Sequence, residues 1–167
     1  MSAARFQSPQ DAEDAFYEAF EAHDLPAFMA VWDDAGDVAA VLPSGQVLLG
    51  REAIAATWEE MFRAPQRPDI TIEHRHWLES GDLAVHLVEA RLAFGAPGEA
   101  PAPMAATNVY RHTAGGWRMV LHQAAPPAAP PGPMPGPRLR QEPPAAPEAA
   151  REGRPPGRPR QGMSPRR

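Results

Sequence analysis

The stretch Ala105-Ala106-Thr107-Asn108-Val109-Tyr110-Arg111-His112, with Gly115-Gly116-Trp117-Arg118-Met119-Val120-Leu121-His122 after a Thr113-Ala114 step, decides how this chain folds. Apolar and polar residues alternate along both halves, and a Thr-Ala-Gly-Gly turn separates them, which is the pattern of a β-hairpin. Tyr, Trp, Met, Val and Leu supply faces to bury. Asn108 and Tyr110 share one strand face, and His122 has the parity to meet them from the next strand. Beyond this hairpin the chain changes character into Pro, Ala and Arg, so the hairpin closes the fold.

Composition divides the 167 residues in the same place. Fourteen of the 22 prolines fall in Pro126–Arg167. That segment holds eight Arg and three Glu, whereas residues 1–125 hold eight Arg against eighteen acids. The stated net charge of −5 therefore conceals an acidic body and a basic tail. The expected organisation is a flexible start at 1–7, one domain at 8–125 and a disordered Pro/Arg-rich tail at 126–167. Such a tail buries too little apolar surface to offset its ordering entropy and samples polyproline II. Phosphate repels an acidic body, so nucleic acid is not an expected partner except weakly through the tail.

All sixteen basic side chains are Arg, and cysteine is absent, which excludes disulfides, thiolate metal sites and a Cys nucleophile. No secretory pattern and no membrane-length apolar run is legible, so the expected setting is the cytoplasm.

Upstream of the hairpin, Ser8-Pro9 caps a helix with apolar residues at Ala12, Ala15, Phe16, Ala19 and Phe20. Asp24-Leu25-Pro26 starts a short second helix burying Leu25, Phe28, Met29 and Trp32. A small hairpin follows, Val38–Leu42 and Gln46–Leu49. Gly50 then precedes a third helix with Ile54, Trp58, Met61 and Phe62 on one face. Long strands at Ile70–Leu78 and Leu83–Phe94 lead through a Gly/Pro/Ala loop to the final hairpin. Helices first and a meander afterwards mean an α+β fold, with three N-terminal helices on a strongly bent antiparallel sheet.

This order resembles the SnoaL-like branch of the nuclear transport factor 2-like superfamily. The resemblance rests on Asp24-Leu25, Val31-Trp32-Asp33-Asp34, Pro43-Ser44-Gly45, Leu49-Gly50-Arg51-Glu52-Ala53-Ile54 and Gly81-Asp82-Leu83-Ala84-Val85. Ala106-Thr107-Asn108-Val109-Tyr110, Gly116-Trp117-Arg118-Met119-Val120 and His122-Gln123-Ala124-Ala125-Pro126 complete it. It implies a cone-shaped fold with an internal cavity, and a homodimer joined through the outer sheet face. The family includes isomerases, cyclases and hydrolases of small lipophilic molecules as well as non-catalytic binding and assembly modules, so fold alone does not set function.

Residue by residue, the family's enzymatic chemistries transfer poorly. The positions of a steroid-isomerase-like phenol, base and protonated acid fall at Phe16, about Leu42 and Asn108, and only Asn108 keeps a hydrogen-bonding group. An epoxide-hydrolase-like site needs two carboxylates and a guanidinium. Glu89 and Arg91 supply one of each, but residues 100–125 contain no acid, so the pair reads as a solvated or interface ion pair. Related sequences carry a histidine before the Pro-x-Gly of the first hairpin and two or three in the last strand. Here those places read Leu42 and Leu121-His122-Gln123.

A metal site is tested by His74-x-His76, whose rings point to one side of a regular strand, but Glu73 and Glu79 have the opposite parity and no third ligand is evident. No catalytic residue, metal or cofactor is assigned. What remains is a neutral polar set, His86, Asn108, Tyr110 and His122, expected to orient a small, largely apolar molecule in the cavity. Trp58 lies beside it as gate or core. Two further readings stay open: an isomerase, dehydratase or cyclase with His122 or His86 as general base, and an assembly module.

Overall fold

In a computed structural model of the protein, residues 6–126 are described. The expected tail lies outside them apart from Pro126. Ser8 caps α1 (Pro9–Ala22) in a reciprocal capping box: its hydroxyl accepts from the Asp11 N–H, and the Asp11 carboxylate accepts from the Ser8 N–H. Asp24 caps α2 (Leu25–Val31) through Ala27. Strands β1 (Ala39–Val41) and β2 (Val47–Leu49) form the small hairpin, and α3 (Gly50–Met61) follows at once.

Gly50 adopts φ +82°, which a side chain would resist, and its N–H reaches the Val38 carbonyl. That turn aims Arg51 at the end of α2. Its guanidinium donates to the carbonyls of Met29, Trp32 and Asp33, which have no partner within the helix. The Gly-Arg step is therefore a clamp between α2 and α3.

Four long strands complete the sheet: β3 (Asp69–Ser80), β4 (Leu83–Ala93), β5 (Ala102–Thr113) and β6 (Gly116–Ala125). The order is β2-β1-β6-β5-β4-β3. The expected antiparallel sheet is corrected in one respect: β1 runs parallel to β6, so the sheet is mixed. A short hairpin preceding α3 reaches the far edge in that orientation, because α3 separates it from the meander.

One register row crosses the inner face through Leu48, Ala40, His122, Asn108, His86 and Trp77. The neighbouring row on the outer face runs Leu49, Ala39, Leu121, Val109, Val85 and Leu78. Two bulges set what faces inward. At Val120 the register between β5 and β6 shifts, so Met119 and His122 are both buried despite opposite parity. At Arg75 a second shift puts His74 inward and His76 outward, which overturns the expectation that both rings share a side.

The helices cover the inner face around Phe16, Phe28, Trp32, Ile54 and Trp58, with Trp58 stacked on Phe28 at 5.0 Å between ring centroids. Phe6 belongs to this fold, two residues ahead of the expected boundary at Ser8. Its carbonyl accepts the Trp117 N–H, and its ring lies 5.1 Å from the Arg118 guanidinium. Among the described residues no helix is long and apolar enough to cross a membrane.

Candidate functional site

The register row places His86, Asn108 and His122 side by side, as their parity predicts. What occupies their centre is a residue that the reading of the strands does not name. Glu13 of α1 is 1% exposed, and its carboxylate is met by four donors. Oε1 accepts from His74 Nε2 at 2.5 Å. Oε2 accepts from His86 Nδ1 and Asn108 Nδ2, both at 3.0 Å, and from the Tyr110 hydroxyl at 3.2 Å. A carboxylate offers roughly two lone-pair sites on each oxygen, so the three donors on Oε2 more than engage it, while Oε1 meets a single donor. Burial alone would raise the Glu13 carboxyl. The hydrogen bonds from His86 and Asn108, then the electrostatic pull of His86 and the His74 bond, outweigh it and hold the group below its ordinary value.

An ionised Glu13 can only accept, and this fixes its neighbours in sequence. Asn108 must turn its NH₂ towards Glu13; the second N–H of that group meets the Tyr17 oxygen at 3.2 Å. Asn108 Oδ1 then faces His122 Nδ1 at 2.7 Å, so Nδ1 carries the proton and donates. Nε2 of His122 is left as a lone-pair acceptor. Burial lowers the His122 ring to about 4, only partly opposed by the Glu13 charge, so it is neutral around pH 7. Burial, followed by the Glu13 charge, raises the Tyr110 phenol well above its ordinary value. Tyr17 is raised chiefly by burial too.

A cavity of about 460 Å³ lies beside this network, between α1, α3 and the inner sheet face. Its walls are apolar: Phe16 and Phe20 of α1, Met61 and Phe62 at the end of α3, Ala90 and Leu92 of β4, Met104 and Ala106 of β5. Two buried polar side chains reach it, Tyr17 and His122, and Trp58 lines it as well. His23 also borders it, stacked on Phe62 with Nδ1 at 3.1 Å from the Phe62 carbonyl. The other polar lining residues, Glu60 and Gln66, are exposed.

Of the five residues expected to hold a ligand, His122 and Trp58 line the cavity. His86, Asn108 and Tyr110 do not: they stand behind its wall around Glu13. The phenol at the cavity is Tyr17 rather than Tyr110. Glu13, an acid that the reading of the strands leaves out, stands behind the cavity wall and does not line it. Trp58 carries a buried indole N–H with no acceptor among the described residues.

Glu13, His74 and His86 offer ligand atoms lying within 4.8 Å of one another, a set that could hold a metal ion. Only His74 of the strand pair takes part; the other two groups come from β4 and α1. The same atoms are already paired as hydrogen-bond donors and acceptors, and this arrangement satisfies the carboxylate without a cation. Glu89 and Arg91 form an ion pair, joined by Arg75 from β3, so they take no part in the cavity.

The SnoaL-like domain family profile matches residues 10–129, and the chain belongs to that family. No functionally curated protein matches it. A Thiobacillus denitrificans structure, described as a candidate calcium/calmodulin-dependent protein kinase type II association domain, is 44% identical. The match covers 74% of this chain and 98% of that one, with a TM-score of 0.70. A Streptomyces avermitilis protein of the nuclear transport factor 2-like family, described as a candidate dehydratase, is 26% identical over 71% of this chain and 93% of its own, TM-score 0.62. A ketosteroid isomerase-like protein from Erwinia carotovora atroseptica is 22% identical over 72% and 94%, TM-score 0.60, which shows the fold alone.

Proposed function

We propose that this SnoaL-like domain binds a small, largely apolar molecule in its interior cavity and carries out no assignable reaction. The observation that carries this reading is a 460 Å³ space with apolar walls, to which the buried described residues bring few polar groups: the Tyr17 hydroxyl, the His122 ring and the Trp58 indole N–H. Its size lies in the range of small-molecule sites. Acid–base catalysis is poorly supplied. Glu13 is held by four donors behind the wall and does not line the cavity, and His122 is too weak a base at about 4 for efficient proton abstraction near neutrality.

The test is a thermal-shift screen of lipophilic compounds on the wild type and on Ala106→Leu, which narrows the cavity. Ligands at about a hundred times Kd add about 2.7 kcal/mol of stability. Upward shifts in the wild type that vanish in the variant support the reading. A screen without any shift overturns it.

A second reading, assembly, is favoured by the 44% identical protein described as an association domain. The outer row containing Leu78, Val85, Val109 and Leu121 fits a homodimer built through that sheet face, with Leu83 and Leu87 exposed on β4. Val85→Arg is expected to convert a dimer to a monomer in size-exclusion chromatography with light scattering. A wild-type protein that is monomeric at micromolar concentration refutes this.

A further inference from the structure

Three hydrogen-bonding valences are left unused among the buried, described side chains lining the cavity. His122 spends Nδ1–H on Asn108, and its Nε2 lone pair has no partner among the described residues. The Tyr17 oxygen accepts from Asn108, and its own proton has no acceptor there. The Trp58 N–H is likewise unpaired, on an indole 6.3 Å from the His122 ring between centroids. The first two are set by a single amide, Asn108, which Glu13 locks in orientation. They therefore offer one acceptor and one donor, a fixed pair rather than an adaptable one.

We propose that this pair selects a neutral hydroxyl head group, so that the ligand class is an apolar alcohol, enol or phenol. Its O–H donates to His122 Nε2, and its oxygen accepts from the Tyr17 O–H. The inference rests on the cavity-binding reading above and narrows it. A ketone or ether satisfies Tyr17 but leaves Nε2 without a donor. A carboxylate brings an unpaired charge into apolar space, with the Glu13 charge behind the wall and no cation lining the interior, and burying such a charge is costly. A ligand lacking oxygen fills the space but pairs neither group.

Calorimetric titration of the full chain at neutral pH with naphthalene, naphthol, methoxynaphthalene and naphthoate tests this on one ring skeleton. Naphthol is expected to bind about tenfold tighter than naphthalene, the scale of two net hydrogen bonds. Methoxynaphthalene should fall between them, and naphthoate should bind most weakly. Tyr17→Phe, which removes one oxygen and keeps the ring, is expected to retain naphthalene affinity while naphthol loses most of its advantage. Retained naphthalene binding also shows that the variant is folded.

Naphthalene binding with no gain for naphthol overturns the head-group assignment and leaves the cavity reading standing. So does methoxynaphthalene matching naphthol, or naphthoate binding most tightly. Failure of all four probes overturns the cavity reading, and this inference with it.

Discussion

Replacing Glu13 by Leu removes the acceptor on which four donors converge, and the structure allows the cost to be worked out. His86, Asn108 and Tyr110 are 4%, 0% and 0% exposed, so none can turn to solvent when the carboxylate is gone. Only His74 has partial access, with its side chain 24% exposed. Each orphaned buried donor costs about 1–3 kcal/mol. Relief from desolvating the carboxylate offsets part of that, and removing one partner of a buried pair costs about 3–5 kcal/mol in net terms. Against a total stability of about 5–15 kcal/mol this is a large fraction. Glu13→Gln keeps the shape and one acceptor oxygen: bonds to that oxygen become neutral and about half as strong, while the amide NH₂ in place of the other oxygen faces a donor and loses its bond. The expected order of urea midpoints is therefore wild type, then Gln, then Leu well below. Equal midpoints for wild type and Glu13→Leu would show that the carboxylate does not organise the core, and the chain of reasoning from Glu13 through Asn108 to His122 would fail with it.

Acid should destabilise the protein in a defined window. His122 is held neutral in the fold down to about 4, whereas the unfolded chain takes up a proton below its ordinary 6.5, so the unfolded state binds more protons between these values and stability rises with pH across them. The full change is at most about 3 kcal/mol by linkage. Glu13, lowered in the fold, adds a loss of the same sign as pH falls through its own range. Denaturation midpoints from about pH 7 to about pH 4.5 check this, and a flat profile contradicts it. At the closing turn, Gly116 sits at φ +99°, and a Cβ there would lie 2.5 Å from the Phe6 carbonyl oxygen, so Gly116→Ala should cost about 1–3 kcal/mol. Gly115→Ala meets the flexible Arg118 guanidinium at 3.4 Å and the Thr113 hydroxyl at 3.5 Å, both side chains, and should cost far less; thermal melts of the two variants separate the cases.

Much of the architecture is written in local chemistry. Ser8-Pro9 and Asp24 start the first two helices where capping side chains require, and Gly50 starts the third. The alternation in β4 and β5 sends Ala84, His86, Val88, Asn108 and Tyr110 inward. What local pattern does not carry is the offset between strands. The shifts at Arg75 and Val120 are bulges set by how neighbouring strands pair, a non-local feature that leaves no mark in a period-2 reading. Hence His74 and His76 part company, while Met119 and His122 come to share a face. The parallel pairing of β1 with β6 is non-local for the same reason.

Glu13 shows where a site can be legible and still be missed. Taking Ala12, Ala15, Phe16, Ala19 and Phe20 as the apolar stripe of α1 rotates the buried face slightly too far. The buried residues are Pro9, Ala12, Glu13, Phe16, Tyr17 and Ala19, so the stripe is centred between Ala12–Phe16 and Glu13–Tyr17. On that wheel Glu13 is an acid in the middle of an otherwise apolar face, one turn before a tyrosine. Charged residues are almost never fully buried unless paired, so such a position calls for donors from whatever packs opposite. The inward strand residues of this chain include two histidines, an asparagine and a phenol, which are those donors. The neutral polar set on the strands and the lone acid on the helix are halves of one network, and each half explains why the other tolerates burial. His122 and Tyr17 are the points where that network reaches the cavity, and their free valences are determined by a carboxylate that a bound molecule would never touch.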